Sequence, residues 1–261
     1  MKLPKPAVIG HRGARGHAPE NTIFGFERAL ELGADALELD VRATRDGVIV
    51  VMHDATVDRT TDGSGRVEEL SWDEIRGLDA GHSFMSAAGE LPYRRRGIGV
   101  PRLREVFERF PSIPILIEIK PGVAKVAVRV AELIAELDRS ECTMAASFHT
   151  GAIRALRENS PQLATGASRQ EVLRFIGLSR VRLSGLFNPA CEALIVPERK
   201  GRIYVTNRPL RRAAAERGLR LFVWTVNQPA EIRRLLEQGV DGIVTDYPER
   251  VREAIETLGL R

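Results

Sequence analysis

Directly after the short apolar run Ala7–Gly10 comes His11-Arg12-Gly13, and the stretch continues to Pro19-Glu20-Asn21-Thr22. A histidine and an arginine at the end of a strand, on a loop whose glycines let the backbone approach a ligand, suit acid–base work beside an anion. Asn21 or Thr22 reads as the cap of the helix that follows. Glu38-Leu39-Asp40 is a second signal. Side chains two apart on a strand share a face, so both carboxylates project together and repel unless a cation lies between them. All-oxygen ligands with no Cys or His close by favour a hard divalent ion, Mg²⁺ or Ca²⁺; the alternative is a salt bridge, for example to Arg42.

Val50-Val51-Met52-His53-Asp54 places another histidine after an apolar run. His53 with His11 would supply a general acid and a general base near neutral pH, and Asp54 reads as a turn residue. In Ile117-Glu118-Ile119-Lys120, Glu118 and Lys120 again share one face. Glu118 would be a third carboxylate for a metal cage, and Lys120 a counter-charge for an anionic oxygen; the alternative is an ion pair between the two. Trp224, in Trp224-Thr225-Val226-Asn227, reads either as a wall of a ligand pocket or as a core residue. Ser147-Phe148 could line the same mouth, and Asp246 reads as a helix cap.

These residues must be carried to one place by the elements between them. Apolar runs alternate with amphipathic stretches along the chain. Strands are expected at Ala7–Gly10, Ala36–Val41, Val48–Met52, Ile113–Ile119, Thr143–Phe148, Leu163–Ala167, Gly185–Phe187, Ile203–Val205, Leu221–Val226 and Gly242–Thr245, with eight helices between and after them. Repeated strand–helix units over this length predict an α/β fold, an eight-stranded (β/α) barrel with its chemistry at the strand C-termini. There are more strand candidates than eight, and Val48–Met52 follows Ala36–Val41 with no room for a helix. The run Leu32–Asp40 is echoed at Gln238–Asp246: a Gly suited to a helix end, a turn, a strand, then a carboxylate. Residues 55–99 break the rhythm, with six Gly between Gly63 and Gly97, and read as an inserted lid or subdomain within a single domain spanning 1–261.

The chain has 261 residues, 43% hydrophobic and 28% charged, which excludes disorder and collagen-like architecture. Two cysteines exclude a disulfide framework and fit a reducing compartment. No apolar run has the length of a membrane-spanning helix and the first residues carry no secretory signal, so a soluble cytoplasmic protein is expected. The net charge of +4 is spread along the chain; its one basic cluster, Arg94-Arg95-Arg96, lacks the interleaved aromatics of a nucleic-acid surface. Gly10, Gly13 and Gly16 are spaced wrongly for a dinucleotide fingerprint. A nicotinamide oxidoreductase would also leave His53, Glu118 and Lys120 without a task. A noncatalytic anion-binding barrel is the other alternative.

Taken together, the H-R-G…P-E-N-T run at 11–22, E-L-D at 38–40, H-D at 53–54 with D-R-T-T-D-G-S-G behind it, and L-D-A-G at 78–81 resemble the glycerophosphodiester phosphodiesterase family. E-I-K at 118–120, W-T-V-N at 224–227 and D-G-I-V-T-D-Y-P at 241–248 extend the resemblance over nearly the whole chain. The resemblance implies a TIM barrel with a small insertion after the second histidine motif. It implies one divalent cation, Mg²⁺ or Ca²⁺, held by Glu38, Asp40 and Glu118, with catalytic His11 and His53 and phosphate contacts from Arg12 and Lys120. The implied reaction is hydrolysis of a small phosphodiester to glycerol 3-phosphate and an alcohol; a lysophospholipase D acting on lysophospholipids is the runner-up. Val100-Pro101-Arg102-Leu103 departs from the I-P-T-L frequent in the family, and Arg102 with Arg94–Arg96 could alter which head group is accepted.

Overall fold

The computed structural model describes residues 1–261, the side chain of Ile203 excepted. The chain begins with strand β1 (Ala7–His11), helix α1 (Ile23–Glu31), β2 (Ala36–Ala43) and β3 (Ile49–Val51). After the insertion, which holds a 3₁₀ turn (Val67–Glu69) and the one-turn helix α2 (Trp72–Ile75), come α3 (Leu103–Arg109) and β4 (Ile115–Ile119). The rhythm then runs α4 (Ala124–Glu136), β5 (Thr143–Ala146), α5 (Thr150–Asn159), β6 (Ala164–Thr165), α6 (Arg169–Arg180) and β7 (Ala193–Pro197). A short hairpin of β8 (Arg199–Lys200) and β9 (Ile203–Tyr204) precedes α7 (Arg208–Glu216), β10 (Arg220–Trp224), α8 (Pro229–Glu237), β11 (Gly242–Thr245) and α9 (Pro248–Thr257).

Eight strands pair in parallel in the order β6-β5-β4-β2-β1-β11-β10-β7. The ring is completed by a parallel bridge between Gly166 and Ala193, where Ala167 N donates to Ala193 O (2.8 Å) and Glu192 N to Thr165 O (2.9 Å). The expected (β/α)8 barrel is therefore present. Its small interior is filled by Ala7, Ile9, Leu116, Met144, Phe222 and Val244 among others. Two larger apolar layers fill the space between strands and helices, one on each half of the ring. The echo between the two ends of the sequence is visible in space. Gly33 (φ 88°) and Gly239 (φ 76°) each end a helix in the left-handed region, and the strands that follow, β2 and β11, flank β1.

The strand surplus resolves at three places. The stretch Val48–Met52 is not a barrel strand: β3 pairs antiparallel to β2, off the ring. Gly185–Phe187, expected as a strand, is mostly a 3₁₀ turn (Ser184–Leu186); Arg182 just before it sits at φ 59°, which bends the chain away from an extended path. Ile203–Val205 contributes β9, which pairs antiparallel with β8 and not with the barrel. The sixth barrel strand is instead Ala193–Pro197, an unbroken apolar run that ends at a proline.

Residues 55–99 fold against β3 around a small apolar cluster of their own, in which Val57, Val67, Ile75 and Ala80 pack on Val50 and Met52. Among the described residues no helix is long and apolar enough to cross a membrane.

Candidate active site

The C-terminal ends of β1, β2 and β4 and the turn after β3 bring the sequence-marked residues to one mouth. A cavity of about 430 Å³ is lined by His11, Arg12, Glu38, His53, Glu118 and Lys120, with Trp224 and Phe148 on its apolar side. Register explains much of this. His11 on β1 pairs with Glu38 on β2, and Asp40 on β2 with Glu118 on β4, so three adjacent strands end in acid or imidazole at the same level.

The loop after β1 is held tightly enough to aim its side chains. Gly13 sits at φ 89°, and a Cβ there would lie 2.6 Å from the Gly25 backbone, so only glycine lets the loop rest on α1. Thr22 caps α1 by accepting from Gly25 N (3.0 Å). Asn21 does something else: at φ 57° it turns inward, donates Nδ2 to Asp40 Oδ2 (3.0 Å) and accepts from Asp40 N (3.2 Å). It is a support for Asp40, not a cap.

Glu38, Asp40 and Glu118 each offer an oxygen within 4.8 Å of the others. Glu38 and Asp40 are buried, at 6% and 1% exposure. Glu38 Oε2 accepts from Arg12 N (2.9 Å). Asp40 Oδ1 and Glu118 Oε1 lie 2.9 and 3.0 Å from the Lys120 ammonium, which bridges the two acids. Burial first, then Asp40 and Glu118, push the Glu38 carboxyl well above its usual range. Burial, with Asp40 adding to it, also pushes Glu118 up against the pull of Lys120. Asp40 is held low despite its burial by Lys120 and Arg12. Three acids crowded to this degree, two of them pushed up by burial and by a neighbouring carboxylate, fit a hard divalent cation. The salt bridge to Arg42 that was the alternative for Glu38 and Asp40 does not form; Arg42 donates to His53 O (2.9 Å) instead. A Glu118–Lys120 pair does form, inside the same cluster.

Two imidazoles border the acids, and each is held by a carboxylate at Nδ1. His11 Nδ1 lies 2.6 Å from Asp246 Oδ1, and Asp246 Oδ2 accepts from Asn227 Nδ2 (2.7 Å). His53 Nδ1 lies 2.6 Å from Asp54 Oδ1, and Arg59 donates to the other oxygen, Asp54 Oδ2 (2.5 Å). A carboxylate accepts, so Nδ1 carries hydrogen in both rings and Nε2 is the nitrogen available to a ligand. Burial lowers the His53 pKa, against the opposing pull of Asp54. Asp246 and Asp54 are both held below the usual carboxylate range: burial opposes this and is outweighed, chiefly by the His11 bond at Asp246 and by Arg59 and His53 at Asp54. The sequence reading gave Asp246 to a helix cap and Asp54 to a turn. Both are partners of histidines, and Asp246 is 235 residues from His11. The one available signal was position, since Asp246 stands at the end of β11, next to β1.

Arg12 is locked from several sides. Its Nη1 donates to Glu20 Oε1 (2.9 Å) and its Nε lies 3.0 Å from Asp40 Oδ2. Glu20 also accepts from Arg15 and from Arg59 of the insertion, a network the sequence reading did not anticipate. Burial works against the Arg12 charge, but Asp40, Glu20 and Glu38 outweigh it and raise its pKa. The Trp224 and Phe148 rings meet edge to face, centroids 5.9 Å apart. A second cavity of about 350 Å³ continues from Arg15 between the rim and the insertion, past Arg59, Phe84, Met85 and Tyr247. Arg102 is turned away from the mouth: it pairs with Glu105 and lies over Trp72.

Comparison with known proteins agrees with this geometry. Residues 11–250 match the family model described as glycerophosphoryl diester phosphodiesterase family. A glycerophosphodiester phosphodiesterase from Caldanaerobacter subterraneus is 37% identical over 250 residues, covering 94% of this chain and 96% of that protein. A lysophospholipase D from Rattus norvegicus is 28% identical over 280 residues, covering 96% and 86%. A phosphodiesterase from Oleispira antarctica, solved in complex with the product sn-glycerol-3-phosphate, superposes with a TM-score of 0.79 at 26% identity, covering 97% of each chain. The chain thus belongs to the glycerophosphoryl diester phosphodiesterase family and is a phosphodiesterase.

Proposed function

We propose that this enzyme hydrolyses glycerophosphodiesters to glycerol 3-phosphate and an alcohol, using His11 and His53 as an acid–base pair beside one divalent cation. The observation that carries the proposal is that two imidazoles, each fixed at Nδ1 by a carboxylate, border the same cavity as Glu38 and Glu118 of the acid cluster and as Arg12, Arg15 and Lys120. Glu38, Asp40 and Glu118 would hold the ion, Mg²⁺ or Ca²⁺. When bound, it supplies Lewis-acid polarisation of the phosphoryl oxygens.

The protein's own groups do the rest. Arg12, fixed through Nη1 and Nε by Glu20 and Asp40, leaves Nη2 for a nonbridging oxygen. Lys120 adds a second positive charge where charge develops on phosphorus. One imidazole takes a proton at Nε2 from the attacking hydroxyl as the new P–O bond forms. The other gives a proton from Nε2 to the leaving alkoxide as the old bond breaks. The attacker is water or the neighbouring glycerol hydroxyl, the latter passing through a cyclic diester that water then opens. Trp224 forms the apolar wall for the organic part of the substrate. Residues 1–261 act as one domain, with the insertion forming a rim over the second cavity. Cys142 and Cys191 are unpaired, which agrees with action in a reducing, cytoplasmic setting.

A coupled assay for glycerol 3-phosphate tests this directly, run on glycerophosphocholine and glycerophosphoethanolamine with and without chelator. Release that stops with chelator and returns with Mg²⁺ or Ca²⁺ is expected. Faster turnover of the acylated form of glycerophosphocholine would shift the reading to lysophospholipids; no release from any diester would end it.

A further inference from the structure

A second basic site lies outside the barrel mouth, between α6 and α7. A cavity of about 510 Å³ is bordered there by Arg180, Arg182, Arg208 and Arg212, and it shares no residue with the catalytic cavity. Arg212 pairs with Glu216. Among the described residues, no carboxylate stands within ion-pairing distance of Arg180, Arg182 or Arg208. Their charge is therefore uncompensated, unlike that of Arg12, Arg59 or Arg157, each held by acids.

The same face is apolar as well as basic. Leu173 on α6 and Val181, the residue at which that helix ends, are 53% and 62% exposed. Leu183 and Leu186, on the turn that follows, are 50% and 65% exposed. Among the described residues these are four of the ten large hydrophobic side chains that stand exposed, drawn from fourteen consecutive residues. Neither catalysis nor the barrel core uses them. The aromatics of this segment, Phe175 and Phe187, are buried against each other with centroids 4.9 Å apart. A nucleic-acid surface would present stacking rings beside its arginines. Aliphatic side chains among unpaired arginines match a lipid–water interface carrying negative charge.

We infer that the α6–α7 face docks the enzyme on anionic phospholipid membrane, with lipid phosphates held by Arg180, Arg182 and Arg208 and with Leu173, Val181, Leu183 and Leu186 entering the head-group zone. Docking there would hold the enzyme where phospholipids are deacylated, the class of reaction that releases glycerophosphodiesters.

The test is co-sedimentation of the intact protein with vesicles of phosphatidylcholine alone or mixed with phosphatidylglycerol, at low and high salt, and in the presence of inorganic phosphate. Binding to the anionic vesicles only, weakened by salt, is expected. Replacing all three unpaired arginines by alanine should lower partitioning on the order of 100-fold, from about fivefold per arginine near a charged surface. Leu183→Asp with Leu186→Asp should abolish it. Neither set touches the catalytic cavity, so turnover of a soluble diester reports that the variants are folded. Leu186→Trp gives an independent reading: its emission should shift to the blue with anionic vesicles and not with neutral ones. Three results would overturn the proposal: equal or no binding to both vesicle types, binding indifferent to the substitutions, or binding of free phosphate alone. Self-association removed by the leucine substitutions, without vesicle binding, would assign the face to a second copy of the chain and overturn it equally.

Discussion

Removing the charge at Asp246 while keeping its shape isolates what fixes His11. In Asp246→Asn the side-chain amide can still accept from Asn227 through its oxygen, but the group facing His11 then becomes an NH₂. That group donates to Nδ1, so hydrogen moves to Nε2 and the ring presents the wrong tautomer to the cavity. The bond lost is short, 2.6 Å, with both partners about 90% buried, and is charge-assisted whenever the ring is protonated. Such bonds contribute about 2–3 kcal/mol, and if the whole of it acts in the transition state, kcat falls roughly 30- to 150-fold. The substitution leaves Arg12 and Lys120, the proposed phosphate contacts, in place, so KM should move less than threefold or so. The coupled glycerol 3-phosphate assay gives both constants, and ¹⁵N shifts of the His11 ring read the tautomer directly. Asp246→Glu, which retains the acceptor, should recover part of the loss. If Asp246→Asn keeps kcat within about twofold of the parent and the His11 tautomer is unchanged, the idea that this carboxylate sets the ring is wrong.

Other outcomes follow from the same geometry. Glu38→Ala and Glu118→Ala should each abolish metal-dependent hydrolysis while leaving far-UV circular dichroism unchanged; full activity in either removes that acid from the cage. A divalent cation should raise Tm, by an amount equivalent to about 2.7 kcal/mol at a hundred times its Kd. The gain should be larger at pH 8 than at pH 5. Glu38 is pushed up by burial and by Asp40 and Glu118, so its protonated form favours folding at low pH, and that contribution is lost as pH rises through the shifted value. The ion replaces the proton, and equal shifts in Tm at both pH values would refute the linkage. Gly13→Ala forces a Cβ into the Gly25 backbone at a positive φ, which should cost about 2 kcal/mol and lower Tm by roughly 4–8 °C. A calorimetric scan decides it.

The barrel was legible in the strand–helix rhythm, and the residues that meet at the candidate site were legible at its strand ends. His11, Glu38, His53 and Glu118 stand beside apolar runs, and that adjacency is a local signal for a strand end. The register that levels them across β1, β2 and β4 then follows from the barrel itself. The partners of the histidines were not legible, because a carboxylate 235 residues distant along the chain becomes a neighbour only when β11 pairs with β1. Asn21 was misread for a related reason: a cap and an inward-turned support have the same local sequence, and only a φ of 57° separates them. Ala193–Pro197 was passed over in favour of Gly185–Phe187, where Leu186 stands exposed and Phe187 packs on Phe175 from a 3₁₀ turn, so two apolar residues there do not make a strand.

The ring of strands is not uniformly strong. Between β6 and β7 it depends on a two-residue strand and one bridge at Gly166, where a Cβ would lie 2.7 Å from Ile195 Cδ1. Every other junction has at least two paired positions. Slow amide exchange should therefore fail first at Ala167 and Glu192, the seam of the ring with the fewest paired positions. Ala167 and Ile195, on either side of that seam, both line the catalytic cavity. A transient parting there would widen the chamber for a bulkier alcohol without disturbing β2 and β4, the two strands that carry the acids.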